Sequence, residues 1–157
     1  MTQPLTVEQS RDIPVDTKTA YFGTLPMPLA TLFRRWYGPI PPISSVVNQT
    51  GNWDAVGQTR TVKLTGGGSM REELTLLDPP SAFGYVLTEI NGPLSPLVKK
   101  VDGVWLFDET DTGTTVTWRW TIHPRFRLGA PALPVFGRLW RGYASQSLEE
   151  LERRLAC

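Results

Sequence analysis

The chain has 157 residues but only one cysteine, Cys157, and one histidine, His123. A single thiol excludes a disulfide within the chain, which fits a reducing compartment. At the chain end, beside Arg153 and Arg154, nothing encloses that thiol as a nucleophile. One His and one Cys leave the usual metal-ligand cluster missing, so no metal and no cofactor is expected. No run approaches the about 18 apolar residues of a membrane span. Met1 to Arg11 lacks the basic start and apolar stretch of a signal peptide. The expectation is a soluble, cytoplasmic protein. No GxSxG, Walker-type or GxGxxG segment occurs, which removes the common hydrolase, kinase and nicotinamide-enzyme signatures.

Charge of either sign is also scarce. The formal net charge is +1, too little for a nucleic-acid-binding face, so no nucleic acid partner is expected. Acidic residues are absent between Asp111 and Glu149, where Arg119, Arg125, Arg127, Arg138 and Arg141 fall. The other 11 basic residues face all 15 acidic ones, leaving that remainder at −4. This asymmetry reads either as an attractor for anionic groups or as solvated arginines on scattered faces.

What the chain does have is aromatic surface: six Trp, six Phe and four Tyr, with 40% of residues hydrophobic. A chain of this length is one domain, spanning 1–157, and buries roughly 70% of its unfolded surface. Val116, Trp118, Trp120 and Ile122 alternate with Thr115, Thr117, Arg119, Thr121 and His123. That period of two marks a long strand with one dry and one wet face. His123 falls on the wet face, where no orienting partner for a general base is visible. Further on, Phe136, Trp140, Tyr143, Leu148, Leu151 and Leu155 form the apolar stripe of a final helix. Its start is open: Gly137 and Gly142 either thin the helix or precede it. Glu149 with Arg153 and Glu150 with Arg154 stand at i,i+4.

Upstream, Leu5 to Ile13 reads as a first strand, and Asp16 as the N-cap of a short helix through Tyr21 and Phe22. A second short helix is expected from Pro28 to near Gly38, stopped by Pro39, Pro41 and Pro42. Strands follow at Val46–Trp53, Thr59–Thr65 and Met70–Leu77, the last two joined by Gly66, Gly67 and Gly68. Phe83, Tyr85 and Leu87 alternate in the next strand. A loop over Asn91–Lys100 leads to a strand at Val104–Asp108, and Asp111 to Gly113 turn into the tryptophan strand. Short connections imply an antiparallel meander.

On the glycine-linked hairpin Arg60 and Glu72 share a face with Val62, Leu64, Met70, Leu74 and Leu76. A register centred on Gly67 sets the two charges diagonally, roughly 7–8 Å apart. Charges on a dry face need partners. The pair is therefore either a structural bridge or the polar end of a ligand pocket. Tyr85 joins that face, and its hydroxyl requires a partner too.

The order strand, two short helices, six strands, long helix resembles the SRPBCC superfamily, the START-like or birch-pollen-allergen-like proteins. Gly57 and Arg60, Glu72 with Asp78-Pro79-Pro80, Phe83 and Tyr85, and Gly113-Thr114 with Val116 and Trp118 resemble its strand signatures. The resemblance implies an α+β helix-grip fold: a curved antiparallel sheet of about seven strands around the last helix, with a cavity between them. A small apolar ligand (lipid, quinone or polyketide-like) is the implied partner. Trp105, Trp118, Trp120 and Trp140 would line the cavity, with Arg60, Glu72 and Tyr85 as polar contacts; the inward parity of Trp105 is open, because Val104 and Leu106 are also apolar. Two further readings stand. One is a polyketide cyclase or dehydratase-like enzyme with Glu72 as acid or base. The other has the 124–136 loop, with Arg125, Phe126, Arg127 and Leu128, docking transiently on an anionic membrane. The oligomeric state is not legible.

Overall fold

The computed structural model describes residues 3–126 and 131–156. The elements are β1 (Leu5–Ile13), α1 (Thr17–Thr24), α2 (Leu29–Leu32), β2 (Ile43–Val47), β3 (Thr59–Leu64) and β4 (Ser69–Asp78). Then come β5 (Ala82–Asn91), β6 (Val98–Thr110), β7 (Gly113–Pro124) and α3 (Leu133–Leu155). All strands join one antiparallel sheet in the order β1-β7-β6-β5-β4-β3-β2. The α1–α2 link carries the chain from one sheet edge to the other, and the meander then returns strand by strand. α3 crosses the inner face. This is the expected helix-grip architecture.

The alternation in β7 does set the faces. Val116, Trp118 and Ile122 are buried, and Trp120 is half-buried on the same side. Pairing of Trp105 with Trp118 turns Trp105 inward, and their rings stack at 5.2 Å. From α3, Trp140, Ala144, Leu148 and Leu151 pack against this layer. Asp16 caps α1, its carboxylate accepting the Thr19 N–H at 2.7 Å, which satisfies a donor that the helix leaves unpaired.

Several boundaries differ from the sequence expectation, each for a physical reason. α2 stops at Leu32, not near Gly38. Phe33 leaves helical geometry with its ring between Trp118 and Tyr143, at 5.0 and 5.7 Å. Tertiary packing outweighs helix propensity there. β2 is Ile43–Val47, not Val46–Trp53, because Asn48 and Trp53 take φ of 56° and 59°. β6 begins at Val98 rather than Val104, so the preceding loop is shorter. A register shift between Leu74 and Leu76 throws Leu76 outward and lets Leu77 join the core. Such a bulge also bends the strand. α3 runs through both glycines, and the Tyr37 ring occupies the space a Gly142 side chain would need. At its end Arg153 pairs with Glu150 rather than Glu149, and Arg154 reaches the same carboxylate.

Candidate ligand cavity

Between the sheet and α3 lies a cavity of about 400 Å³. Arg60, Glu72, Tyr85, Trp105, Trp118, Trp120 and Trp140 all contribute to its wall. So does the irregular segment after α2, through Phe33, Trp36 and Ile40, and so do Gly66 and Gly68 of the β3–β4 hairpin. A volume and lining of this kind suit a small, largely apolar molecule.

The polar pole is built on that hairpin. Arg60 and Glu72 face each other directly, not diagonally, because the turn is centred on Gly66. Gly66 and Gly67 take positive φ, 97° and 102°, conformations open to glycine. Arg60 Nε donates to Glu72 Oε1 at 2.8 Å, and both side chains are buried. Burial pushes the Glu72 carboxyl above its ordinary range, and the Arg60 guanidinium opposes that rise. The guanidinium carbon also lies 3.8 Å from the ring centre of Trp53, a cation–π contact. Gln58 shapes the intervening loop, its Oε1 accepting the Asp54 N–H at 2.7 Å and its Nε2 donating to Asp54 Oδ1 at 3.0 Å. Sequence reasoning missed Trp53, whose role depends on a turn conformation that no periodicity announces.

Tyr85 sits at the centre of the aromatic wall. Its hydroxyl oxygen accepts hydrogen bonds from Trp118 Nε1 at 2.8 Å and Trp120 Nε1 at 2.9 Å. Burial, then the charge of Glu72, holds the phenol well above its ordinary pKa, so it stays neutral. Gly103, missed as a site residue, makes this reach possible. It pairs with Tyr85 on one side and Trp120 on the other, and the Tyr85 ring crosses above it. A Cβ on Gly103 would lie 2.2 Å from Tyr85 Cζ. On the opposite wall Trp140 packs on Trp118 and Trp120 at 4.8 and 5.5 Å. Its indole N–H is buried and has no partner among the described residues. Tyr143 donates to the Pro41 carbonyl at 3.2 Å, tying α3 to the segment over the cavity.

Other singled-out residues lie elsewhere. His123 does have a partner, contrary to the sequence reading: Asp102 Oδ2 lies 2.8 Å from its Nε2. The cross-strand diagonal between β6 and β7 supplies it, on the sheet face away from the cavity. Arg119 is matched by Glu8 at 2.7 Å on that outer face. In the 124–136 segment, Phe126 and Val135 are exposed, Leu133 is buried and Phe136 lines the cavity. Arg125 binds the carbonyls of Ser95 and Val98. Arg127, Leu128 and Cys157 lie outside the described residues. Among the described residues, no helix is long and apolar enough to cross a membrane.

Solved structures share this arrangement at low sequence identity. Ginseng major latex-like protein 151 from Panax ginseng superposes with a TM-score of 0.71 at 14% identity, covering 98% of each chain. Ara h 8.0201 gives 0.72 at 16% identity, again over 98% of each chain. A protein from Thermus thermophilus gives 0.67 at 19% identity over 97% of each. No curated protein matches this chain in sequence. The family model for polyketide cyclase/dehydrase and lipid transport matches residues 4–156. With that match over nearly its whole length, and with a cavity between sheet and last helix, the chain belongs to the polyketide cyclase/dehydrase and lipid-transport family.

Proposed function

We propose that the chain is a single ligand-binding domain that holds and carries a small apolar molecule of lipid, quinone or polyketide-like character. The observation that supports this is the cavity itself: about 400 Å³, walled by tryptophans, with its charges gathered at Arg60 and Glu72. Apolar walls supply affinity, and a few fixed polar groups supply orientation. Arg60 and Glu72 neutralise each other, so the pole offers hydrogen bonds without presenting an unpaired charge to an apolar guest. Native mass spectrometry of the purified protein, with extraction of anything released on denaturation, tests the reading. A stoichiometric apolar adduct is the expected result. An apo mass, together with failure of every apolar probe to bind, overturns it.

A second reading rests on Glu72 in the cavity wall, whose carboxyl burial pushes above its ordinary range while Arg60 opposes the rise. That tuning suits a group that gives or takes a proton, as cyclisation or dehydration of a folded substrate requires. On this reading Glu72→Gln abolishes turnover of a bound substrate and leaves its affinity nearly unchanged. Parallel loss of both returns Glu72 to a purely binding role.

A further inference from the structure

A tyrosine hydroxyl has one proton to donate and two lone-pair positions that accept, whereas an indole N–H only donates. Trp118 and Trp120 therefore fix the roles at Tyr85: its oxygen receives both indole protons, and both acceptor positions are occupied. The phenolic proton must point in the remaining direction. Among the described residues the hydroxyl donates no hydrogen bond, and Arg60 Nε holds one oxygen of the neighbouring Glu72 carboxylate. Two incoming hydrogen bonds also polarise the O–H and strengthen it as a donor. The uncommitted polar group at Tyr85 is thus a donor. A guest hydroxyl or amine brings a proton of its own, for which the cavity wall offers the second oxygen of Glu72. A carbonyl oxygen brings only acceptor capacity.

We propose that the ligand is an apolar ketone- or quinone-type molecule whose carbonyl oxygen accepts the Tyr85 O–H. This rests on the cavity-binding reading above, and the experiment separates the two. The probes are 9-fluorenone and fluorene, rigid molecules that differ by a carbonyl in place of a methylene. Affinities are read by quenching of tryptophan emission, and the carbonyl stretch of bound 9-fluorenone by infrared difference spectroscopy. The stretch is expected below its position in a hydrocarbon solvent in the unaltered protein and moved back toward it in Tyr85→Phe, which also frees the Trp118 and Trp120 N–H groups. The 9-fluorenone to fluorene affinity ratio should fall about tenfold in that variant, through 9-fluorenone alone. An unshifted stretch in the unaltered protein overturns the carbonyl proposal even if Tyr85→Phe does not fold. A stretch at an unchanged position in Tyr85→Phe overturns it as well, because the Trp118 and Trp120 N–H groups freed there are weaker donors than a phenol and give a smaller shift. If neither compound binds, the cavity reading fails with it; if fluorene binds and the stretch stays put, only the carbonyl proposal fails.

Discussion

Arg60 and Glu72 face each other on a sheet surface that is otherwise apolar, and each keeps the other tolerable in the core. Removing one partner of such a pair leaves a buried charge unmatched, whereas replacing both with apolar side chains is often neutral or better. Arg60→Met alone should lower unfolding free energy by about 3–5 kcal/mol, and Arg60→Met with Glu72→Met should recover most of it, as read from urea denaturation. The pH dependence carries a definite sign. Glu72 has a raised folded pKa, so its contribution is fully present below its unfolded value, near 4.5. It declines as pH rises through the folded value. Loss of Arg60 widens that window, so the Arg60→Met defect should be smaller at pH 4 than at pH 7. Both residues and their shared face were legible from hydrophobic alternation. Their direct opposition was not, because three consecutive glycines permit more than one turn centre. Moving the centre by one residue changes each partner by two, which preserves the face and alters only who stands opposite whom.

At the scale of elements, close approach decides what propensity leaves open. Gly103 lies mid-strand in β6, where glycine is a poor strand former, yet it is the floor beneath the Tyr85 ring. Gly103→Ala should improve the intrinsic strand preference and still destabilise the protein by about 1–3 kcal/mol, the usual range for overpacking a core. A red shift of tryptophan emission should accompany it as Tyr85 is pushed off Trp118 and Trp120. Unchanged stability and emission would remove Gly103 from the site. α3 shows the same limit in electrostatics. Its amphipathic stripe announced the helix, but spacing alone could not choose between Glu149 and Glu150 as the partner of Arg153. Glu150 wins because its carboxylate already lies against Arg154 and within 3.9 Å of Arg34. These partners hold its pKa below the ordinary range, the hydrogen bond from Arg153 foremost. Its contribution is therefore present above about pH 4.5 and lost as pH falls through the folded value, the opposite sign to Glu72. Glu150→Gln should be less stable than the parent at pH 7, with the difference closing on acidification in urea titrations at each pH.

For the molecule as a whole, the element order, the strand bearing Trp118 and Trp120 and the stripe of the final helix made the helix-grip fold readable. The roof of the cavity was not. The segment from Phe33 to Pro41 has too many prolines for a regular element, and its placement depends on Phe33 stacking with Tyr143 and on the Tyr143 bond to Pro41. A sheet, a helix and an irregular roof joined this way keep open a space that a better-filled core would close, and such space ordinarily lowers stability. Filling it from the sheet therefore separates stability from binding. Val62 is buried on β3 and lines the cavity. In a preformed cavity the larger ring of Val62→Phe finds room, so the urea midpoint should hold or rise while affinity for fluorene falls at least about tenfold, by competition for the same volume. A core already closed in solution has no such room. There the same substitution overpacks, and stability drops by about 1–3 kcal/mol. The direction of the midpoint shift thus tests whether the space between sheet and helix is maintained for an occupant.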